Sequence, residues 1–232
     1  MIPTNADASA GPAQILSFID HSILRPDATD ADVEAACALA DKLGVATVCV
    51  QPCWAKLAAE LLRSSQVKPA SVIGFPHGAT TTEAKLMEAI SLLDAGVKEL
   101  DMVINIGWLK SGRHDDILDE ISALHTVCSA ANVVLKVILE VAYLTDDEKR
   151  QAARLAVEAG ADFVKTSTGF GPSGATVEDV RLLRQVVPEN VGVKAAGGIR
   201  TLADVQAMLQ AGANRIGTSS TLAIARELGM EV

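Results

Sequence analysis

A short apolar run of this sequence ends in a lysine and is followed at once by hydroxyl residues and a glycine, in the segment DFVKTSTGF of residues 162–170. We interpret it as a β-strand that enters a loop, in which Phe163 and Lys165 share one face because side chains alternate along a strand. A lysine near the buried end of a strand loses hydration, which favours its neutral amine, and a neutral amine can attack a carbonyl and form a Schiff base. The alternative is a lysine that extends out of the strand end into water. The segment alone leaves both interpretations open.

Other short apolar stretches also carry charged residues, although such stretches normally exclude charge. The charged residues are Asp20, Asp101, Lys136 and Lys194, and two of the same kind of stretch carry Ser22 and Cys49. Solvated helix faces do not explain these positions. We therefore expect the charged side chains to meet in one site.

Lys165 and Lys194 are expected on neighbouring strands, whose backbones lie about 4.8 Å apart. If their ammonium groups stand ~6 Å apart at an effective dielectric of ~20, their repulsion is roughly 2.8 kcal/mol, or about two pKa units. Bringing a lysine pKa from ~10.4 to near neutrality takes about three units, so one neighbouring lysine with partial desolvation suffices. Asp101 would stay ionised there and could move protons through a water, or it could be a structural ion-pair partner. Asp20 and Lys136 are expected to form a structural pair that shapes the field of the site.

The elements that must position these residues are marked by repeated helix signals. Five threonines are each followed three residues later by an acid, the capping-box pattern or its aspartate variant, which predicts that a helix begins there. These pairs are Thr29 with Asp32, Thr80 with Glu83, Thr145 with Glu148, Thr176 with Asp179, and Thr201 with Asp204. Four glycines close Ala/Leu-rich runs as helix terminators do, namely Gly44, Gly96, Gly160 and Gly212.

The apolar stretches between these helices predict eight strands, over residues 20–22, 45–50, 70–74, 99–104, 133–139, 162–166, 191–195 and 215–217. Their Val/Ile-rich character is typical of parallel strands that are covered by helices. Eight βα units in this length predict an α/β fold of one closed (β/α)8 barrel, the TIM barrel. An open doubly wound sheet is the alternative, but it calls for a Gly-rich fingerprint after the first strand, and DHSIL is not one.

The last two predicted βα loops are suited to an anion. Gly197 and Gly198 follow the strand of Lys194, and Ser219 and Ser220 follow the last strand at the start of a helix. Glycines let backbone N–H groups approach a ligand, and a helix N-terminus favours negative charge. Barrels often hold phosphate at these two loops, so we predict a phosphate site there.

Composition excludes several classes of function. The formal net charge of −9 argues against a nucleic-acid-binding surface but leaves room for a local anion site. No apolar run approaches the ~18 residues of a transmembrane helix, so no membrane partner is expected. The 232 residues, 49% of them hydrophobic, suit one barrel domain over residues 15–232. Residues 1–14 are expected to form a flexible arm and lack the basic start of a secretory signal.

The four cysteines show no recognised spacing for a disulfide framework or a zinc site. They are Cys37, Cys49, Cys53 and Cys128. We expect free thiols in a reducing cytoplasm and no metal ligand set.

Seven stretches of the chain, in order, resemble the deoxyribose-phosphate aldolases, a family of class I aldolases. They are residues 19–24, 72–78, 99–107, 135–140, 162–170, 191–200 and 215–220. The resemblance implies a cytoplasmic enzyme, without metal or organic cofactor, that reversibly cleaves 2-deoxy-D-ribose 5-phosphate to glyceraldehyde 3-phosphate and acetaldehyde. Its partner is then a small sugar phosphate, and the sequence leaves open whether copies of the chain form a homo-oligomer.

The resemblance also implies individual roles. Lys165 matches the Schiff-base lysine, Lys194 the lysine that perturbs it, and Asp101 the proton-transfer aspartate. The phosphate-binding positions fall on Gly197, Gly198, Ser219 and Ser220, and we expect Thr168 and Gly169 to line the substrate site. One departure is visible: some members carry a C-terminal tyrosine, whereas this chain ends LGMEV and its only tyrosine is Tyr143.

Two rival functions remain. One is another Schiff-base barrel aldolase that acts on a different sugar phosphate, which a test of acetaldehyde as donor would separate. The other is a phosphate-metabolite sensor that kept the barrel and lost turnover. The presence of Lys165, Lys194 and Asp101 together argues against the sensor.

Overall fold

The structure, a computed structural model, describes residues 11–231. All eight predicted strands are present in this part of the chain, with ends that differ from the prediction by no more than two residues. They are β1 (Ile19–Ile23), β2 (Thr47–Val50), β3 (Lys68–Ile73), β4 (Glu99–Val103), β5 (Val134–Ile138), β6 (Phe163–Lys165), β7 (Gly192–Ala196) and β8 (Arg215–Thr218). Each strand pairs in parallel with the next, and β8 pairs with β1, so the sheet closes into the predicted (β/α)8 barrel.

Helices alternate with the strands and cover the outside of the barrel. They are α1 (Pro12–Leu16), α2 (Asp30–Leu43), α3 (Ala55–Leu61), α4 (Thr82–Asp94), α5 (Ile106–Lys110), α6 (His114–Ala130), α7 (Asp146–Glu158), α8 (Val177–Val186), α9 (Leu202–Gln210) and α10 (Thr221–Glu227). Two short 3₁₀ helices, Pro52–Trp54 and Val141–Tyr143, lie in the loops after β2 and β5. None of the helices in the described part of the chain combines the length and apolar character needed to cross a membrane.

Four of the five predicted threonine caps are confirmed. Thr29, Thr145, Thr176 and Thr201 each accept a hydrogen bond from the backbone N–H of the acidic residue three positions later. The fifth prediction, Thr80, is wrong by one residue, because Thr81 caps α4 and accepts from the N–H of Ala84. Three successive threonines, Thr80 to Thr82, stand at the start of this helix, and the extended backbone of Thr81 (φ −72°, ψ 158°) makes it the cap.

The predicted helix ends are confirmed as well. Gly44 adopts the left-handed conformation at the C-cap of α2, and Gly96, Gly160 and Gly212 follow the C-caps of their helices with positive φ. Each helix therefore stops where the chain must turn back into the next strand.

The barrel interior differs in chemistry from the layer between strands and helices. The outer faces of the strands pack Val, Ile and Leu side chains against the helices in one large apolar core. Along β6, β7 and β8, by contrast, Lys165, Lys194 and Arg215 are register partners. Register partners in a sheet point to the same face, so all three enter the barrel, and the tilt of the strands places them at successive depths.

The predicted N-terminal arm lies largely outside the described residues. Its last part, from Pro12, belongs to α1, in which Ile15 and Leu16 are buried against the barrel.

Candidate active site

A cavity of about 600 Å³ opens at the carboxyl ends of the strands. Its inner wall contains five of the predicted site residues, which lie on β1, β2, β6 and β7. They are Asp20, Ser22, Cys49, Lys165 and Lys194. Room for the long chain of Lys194 comes from Gly217 on the next strand, where an added Cβ would lie 3.2 Å from Lys194 Cε and 2.9 Å from Ala196 Cβ. The closed barrel thus brings together residues that are far apart in the sequence.

Asp101 is the centre of the charged cluster beneath this cavity. Its Oδ2 accepts hydrogen bonds from Lys165 Nζ at 2.8 Å and from Lys194 Nζ at 2.7 Å, and its Oδ1 accepts one from Lys136 Nζ at 2.8 Å. The side chain of Asp101 is completely buried and lies behind the two lysines rather than on the cavity wall. The predicted proximity of Asp101 to Lys165 and Lys194 is therefore present.

The predicted pairing of Asp20 with Lys136 is only the weakest contact of either residue. Asp20 Oδ2 lies 3.8 Å from Lys136 Nζ but 2.5 Å from Lys194 Nζ, and Asp20 Oδ1 lies 2.7 Å from Arg215 Nη1. Lys136 in turn contacts Glu99 Oε2 at 2.6 Å. Asp20 and Lys136 thus belong to one continuous network instead of a separate pair.

Sequence reasoning missed Glu99 and Arg215, which complete this network. Arg215 Nη1 donates to Glu99 Oε2 at 2.8 Å, and the guanidinium carbon lies 5.3 Å from the ring centroid of Phe163. The signal was available in the period of two along each strand. Glu99 precedes Asp101 by two residues, and Arg215 is level with Lys194, so both had to face inward.

The electrostatics of the two cavity lysines differ. Burial lowers the pKa of Lys165 below its ordinary value; the Asp101 carboxylate opposes this shift and the Lys194 ammonium adds to it. Burial acts in the same direction on Lys194, but Asp101 and Asp20 together outweigh it and raise the pKa of Lys194. Lys165 is therefore the amine that is easier to deprotonate. Desolvation is the larger cause of its shift, whereas the sequence argument had given repulsion by Lys194 the larger part.

Asp101 remains ionised at the centre of the cluster. Burial raises the pKa of Asp101, but Lys136, Lys165 and Lys194 outweigh it and hold the pKa well below its usual range. Burial raises the pKa of the Cys49 thiol to about 11, so this residue is a neutral part of the cavity wall. Cys37, Cys53 and Cys128 are free like Cys49. Within residues 11–231, His, Cys, Asp and Glu side chains form no group of three that could hold a metal ion.

The predicted anion loops lie together at the far side of the same cavity. Gly197, Gly198, Ser219 and Ser220 all line it, and so does Arg200. Gly197 and Gly198 have φ of 87° and 80°, and a Cβ on Gly197 would lie 2.9 Å from Gly174 Cα. The backbone therefore needs glycine to turn here, and the absence of side chains lets a ligand approach the backbone of this loop closely.

Ser219 and Ser220 offer fewer free backbone N–H donors to an anion than predicted. The N–H of Ser220 already donates to Thr218 Oγ1 at 2.9 Å, so its hydroxyl is the group available to a ligand. The helix that follows, α10, has only seven residues. An anion in this part of the cavity would therefore depend mainly on the glycine loop, the hydroxyls and Arg200.

Thr168 and Gly169 also line the cavity, as predicted. The polar groups of Thr168 are engaged, however, because both its N–H and its hydroxyl donate to Glu140 Oε2. Glu140 is buried in the loop after β5 with a left-handed backbone (φ 54°). It connects that loop to the loop after Lys165. Thr168 therefore forms part of the cavity wall, and its hydrogen bonds to Glu140 hold it in place.

Comparison with known proteins agrees with this arrangement. Residues 14–227 match the family described as DeoC/LacD family aldolase. The deoxyribose-phosphate aldolase of Thermoanaerobacter pseudethanolicus is 52% identical over 214 residues, which cover 92% of this chain and 96% of that protein. The enzyme of the same name from Thermococcus gammatolerans is 55% identical over 212 residues, covering 90% and 94%.

A solved structure shows the same architecture. The deoxyribose phosphate aldolase of Aeropyrum pernix, described as a tetramer, superposes with a TM-score of 0.89 at 34% identity and covers 96% of this chain and 94% of its own. The family match spans every strand of the barrel and every residue of the charged cluster. This chain therefore belongs to the DeoC/LacD aldolase family and is a carbon–carbon lyase built on a (β/α)8 barrel.

Proposed function

We propose that this chain reversibly cleaves 2-deoxy-D-ribose 5-phosphate to D-glyceraldehyde 3-phosphate and acetaldehyde through a Schiff base on Lys165. The observation that carries the proposal is the shared carboxylate oxygen Asp101 Oδ2, which lies 2.8 Å from Lys165 Nζ and 2.7 Å from Lys194 Nζ. This arrangement holds an amine of lowered pKa at the wall of a cavity that is also lined by the glycine loop to which we assign the phosphate. The relatives named deoxyribose-phosphate aldolase support the choice of substrate.

The reaction begins with the neutral Lys165 amine. It attacks the C1 aldehyde of the open-chain sugar phosphate, and loss of water leaves a protonated imine. A base then takes the proton of the C3 hydroxyl, the C2–C3 bond breaks, and its electron pair flows into the imine to form an enamine. Glyceraldehyde 3-phosphate leaves. Protonation of the enamine at C2 and hydrolysis of the imine release acetaldehyde and restore Lys165.

Asp101 and Lys194 are assigned to the proton transfers. Lys194 borders the cavity, whereas Asp101 lies behind it and is in contact with both lysines. We therefore propose that protons pass between substrate and cluster through Lys194 or a water, and that Asp101 holds the donor and acceptor in place. Cys49, Asp20 and Ser22 complete the wall around the reacting carbon atoms.

The 5-phosphate is assigned to the loops after β7 and β8. The backbone at Gly197 and Gly198 and the hydroxyls of Ser219 and Ser220 can donate to phosphate oxygens, and Arg200 adds a positive charge. Lys165 and these two loops line the same cavity, so one substrate molecule in it can face both. We further propose a cytoplasmic enzyme, in keeping with its free cysteines, and an assembly of identical copies.

Reductive trapping tests the proposal. Borohydride added with acetaldehyde should fix an ethyl group on the peptide that carries Lys165, and Lys165→Met should abolish it while leaving Lys194 unmodified. An adduct on Lys194 alone would reverse the two assignments, and the absence of any adduct would remove the Schiff-base mechanism. Cleavage of deoxyribose 5-phosphate, followed by a coupled assay for glyceraldehyde 3-phosphate, tests the substrate separately.

A further inference from the structure

A layer of charge lies beneath the two cavity lysines. Arg215 Nη1 contacts Asp20 Oδ1 at 2.7 Å and Glu99 Oε2 at 2.8 Å. The side chains of Arg215 and Glu99 are 10% and 4% exposed, and neither residue is among those that line the cavity. Neither can touch a substrate there, so any effect on the reaction must pass through other members of the cluster.

The cluster contains one more cation than carboxylates. Three carboxylates and four basic groups are joined by successive contacts: Asp20, Glu99 and Asp101 with Lys136, Lys165, Lys194 and Arg215. With every group ionised the buried net charge is therefore one positive unit, and it falls to zero when one lysine is neutral. An uncompensated buried charge is costly, so the neutral state of the cluster is favoured.

The contacts decide which lysine gives up its proton. Arg215 stays protonated at any ordinary pH. Lys136 contacts three carboxylates and Lys194 contacts two, whereas the only carboxylate on Lys165 within the described chain is Asp101. Lys165 is the cation with the least compensation.

We propose that Arg215 and Glu99 are positioning residues that set the protonation state of Lys165 from below the site. Arg215 supplies the fourth positive charge of the cluster, and the negative charge of Glu99 offsets part of the electrostatic effect of Arg215 on Lys165. The inference rests on the proposed function, since it assumes that Lys165 is the reacting amine. The direction of the Lys165 pKa agrees with it.

The other ionisable groups around Lys165 do not supply this balance. Those that face it are Asp101 from β4, Lys136 from β5, Lys194 from β7, Asp20 from β1 and the thiol of Cys49 from β2. The thiol is neutral because burial raises its pKa to about 11. Glu140, in the loop after β5, is bound to Thr168. Lys136 also stays charged, because Asp101, Glu99 and Asp20 outweigh the effect of burial and raise its pKa. Arg215 differs from it in contacting Asp20 and Glu99 rather than Asp101, the carboxylate that Lys165 contacts, so its charge can be removed without breaking the Asp101–Lys165 contact.

Arg215→Met tests the proposal, because it removes the charge and keeps an apolar chain against Phe163. Three cations would then balance three carboxylates with Lys165 protonated. A unit charge roughly 10 Å away at an effective dielectric of ~20 changes a pKa by about one unit. The acid limb of the kcat/KM profile should therefore move to higher pH by about one unit, so that kcat/KM at a given pH on that limb falls roughly tenfold. Arg215→Lys keeps the charge and should leave the limb in place.

Glu99→Gln changes the net charge of the cluster in the opposite direction and keeps the shape of the side chain. It adds one net positive charge, so the acid limb should move down, and the double variant Arg215→Met/Glu99→Gln should return it close to the wild-type position. Damage to the fold cannot produce shifts of opposite sign that cancel. If Arg215→Met does not fold, Glu99→Gln still decides, since a limb that stays in place or moves up in this variant overturns the proposal.

A titration that does not need turnover separates this inference from the proposed function. The rate of trace acetylation of Lys165, measured by peptide mass spectrometry across pH, reports its neutral fraction directly. It should shift with Arg215→Met and Glu99→Gln in the same directions as above. If wild-type protein fails to cleave deoxyribose 5-phosphate but the acetylation titrations shift, the proposed substrate is wrong and the charge balance stands. Titrations that coincide with wild type would overturn the charge balance even in an active enzyme.

Discussion

Replacing Lys194 by methionine removes the cation closest to the proposed nucleophile. In the native cluster Lys194 Nζ lies 2.7 Å from Asp101 Oδ2, the same oxygen that Lys165 Nζ contacts at 2.8 Å. Without Lys194, this oxygen has Lys165 as its sole cationic partner, and the cluster is electrically neutral only when Lys165 is protonated. The substitution should therefore raise the pKa of Lys165.

The magnitude follows from these distances. Two ammonium nitrogens that share one oxygen atom stand about 5 Å apart, and at an effective dielectric of ~20 their repulsion is roughly 3 kcal/mol, or about two pKa units. Both side chains are almost completely buried, so solvent screens this interaction little. The reacting form of Lys165 is the neutral amine. A raised pKa thus moves the acid limb of kcat/KM upward by about two pH units, with a loss of roughly 100-fold on that limb.

The assay is the pH profile of deoxyribose 5-phosphate cleavage in Lys194→Met, with Lys194→Arg as the charge-conserving control. In Lys194→Met activity should recover about tenfold for each pH unit until a new plateau is reached. Lys194→Arg should retain the native position of the limb, even where crowding near Gly217 lowers the rate at every pH. A profile for Lys194→Met that is lowered uniformly, with its limb in the native position, would refute the electrostatic role of Lys194.

Three further outcomes are expected. Ser219→Asp should raise KM for deoxyribose 5-phosphate by tenfold or more and leave KM for deoxyribose nearly unchanged, because it places a charge against the phosphate; equal effects on both sugars would locate the phosphate elsewhere. Asp101→Asn should slow exchange of acetaldehyde protons in deuterated water by about 10²-fold, as measured by NMR, whereas deletion of residues 229–232 should change it less than about twofold; a larger effect of the deletion would assign the tail a catalytic part. Lys85→Met should lower the free energy of unfolding in urea by about 3–5 kcal/mol, because Glu120 loses its 2.8 Å ion pair in a fully buried site; Lys85→Met/Glu120→Leu should regain most of it, and no regain would mean that packing, not charge, was lost.

The sequence predicts most of the architecture because its local signals agree with one another. Threonine caps such as Thr145 begin the helices, glycines such as Gly44 end them, and Val/Ile-rich stretches between them become strands. The one misplaced cap, Thr80 instead of Thr81, lies in a run of identical residues. There the sequence pattern cannot decide which threonine is the cap, and the backbone conformation does. Such errors shift an element by a residue and leave the order of the strands unchanged.

The order of the strands also placed Lys165 beside Lys194, since consecutive strands of a parallel barrel are neighbours. Inward-facing charge on apolar strands was visible as well, at Asp20, Asp101 and Lys136. What the sequence by itself determined, then, is which elements form, in what order they lie, and which side chains of reactive type must point into the barrel. These properties depend on neighbours within a few residues or on chain order.

Only the tertiary structure decided which charges meet and which one is left with the fewest partners. Asp101 on β4 reaches Lys194 on β7 across the barrel, because eight strands enclose an interior no wider than the side chains that fill it. Closure of β8 on β1 brings Arg215 to Asp20, and Glu99 joins them from β4. Electrostatic energy depends on distances in space and on burial, and neither is a local property of the chain. Lys165 becomes the least compensated cation only when all seven groups are enclosed together.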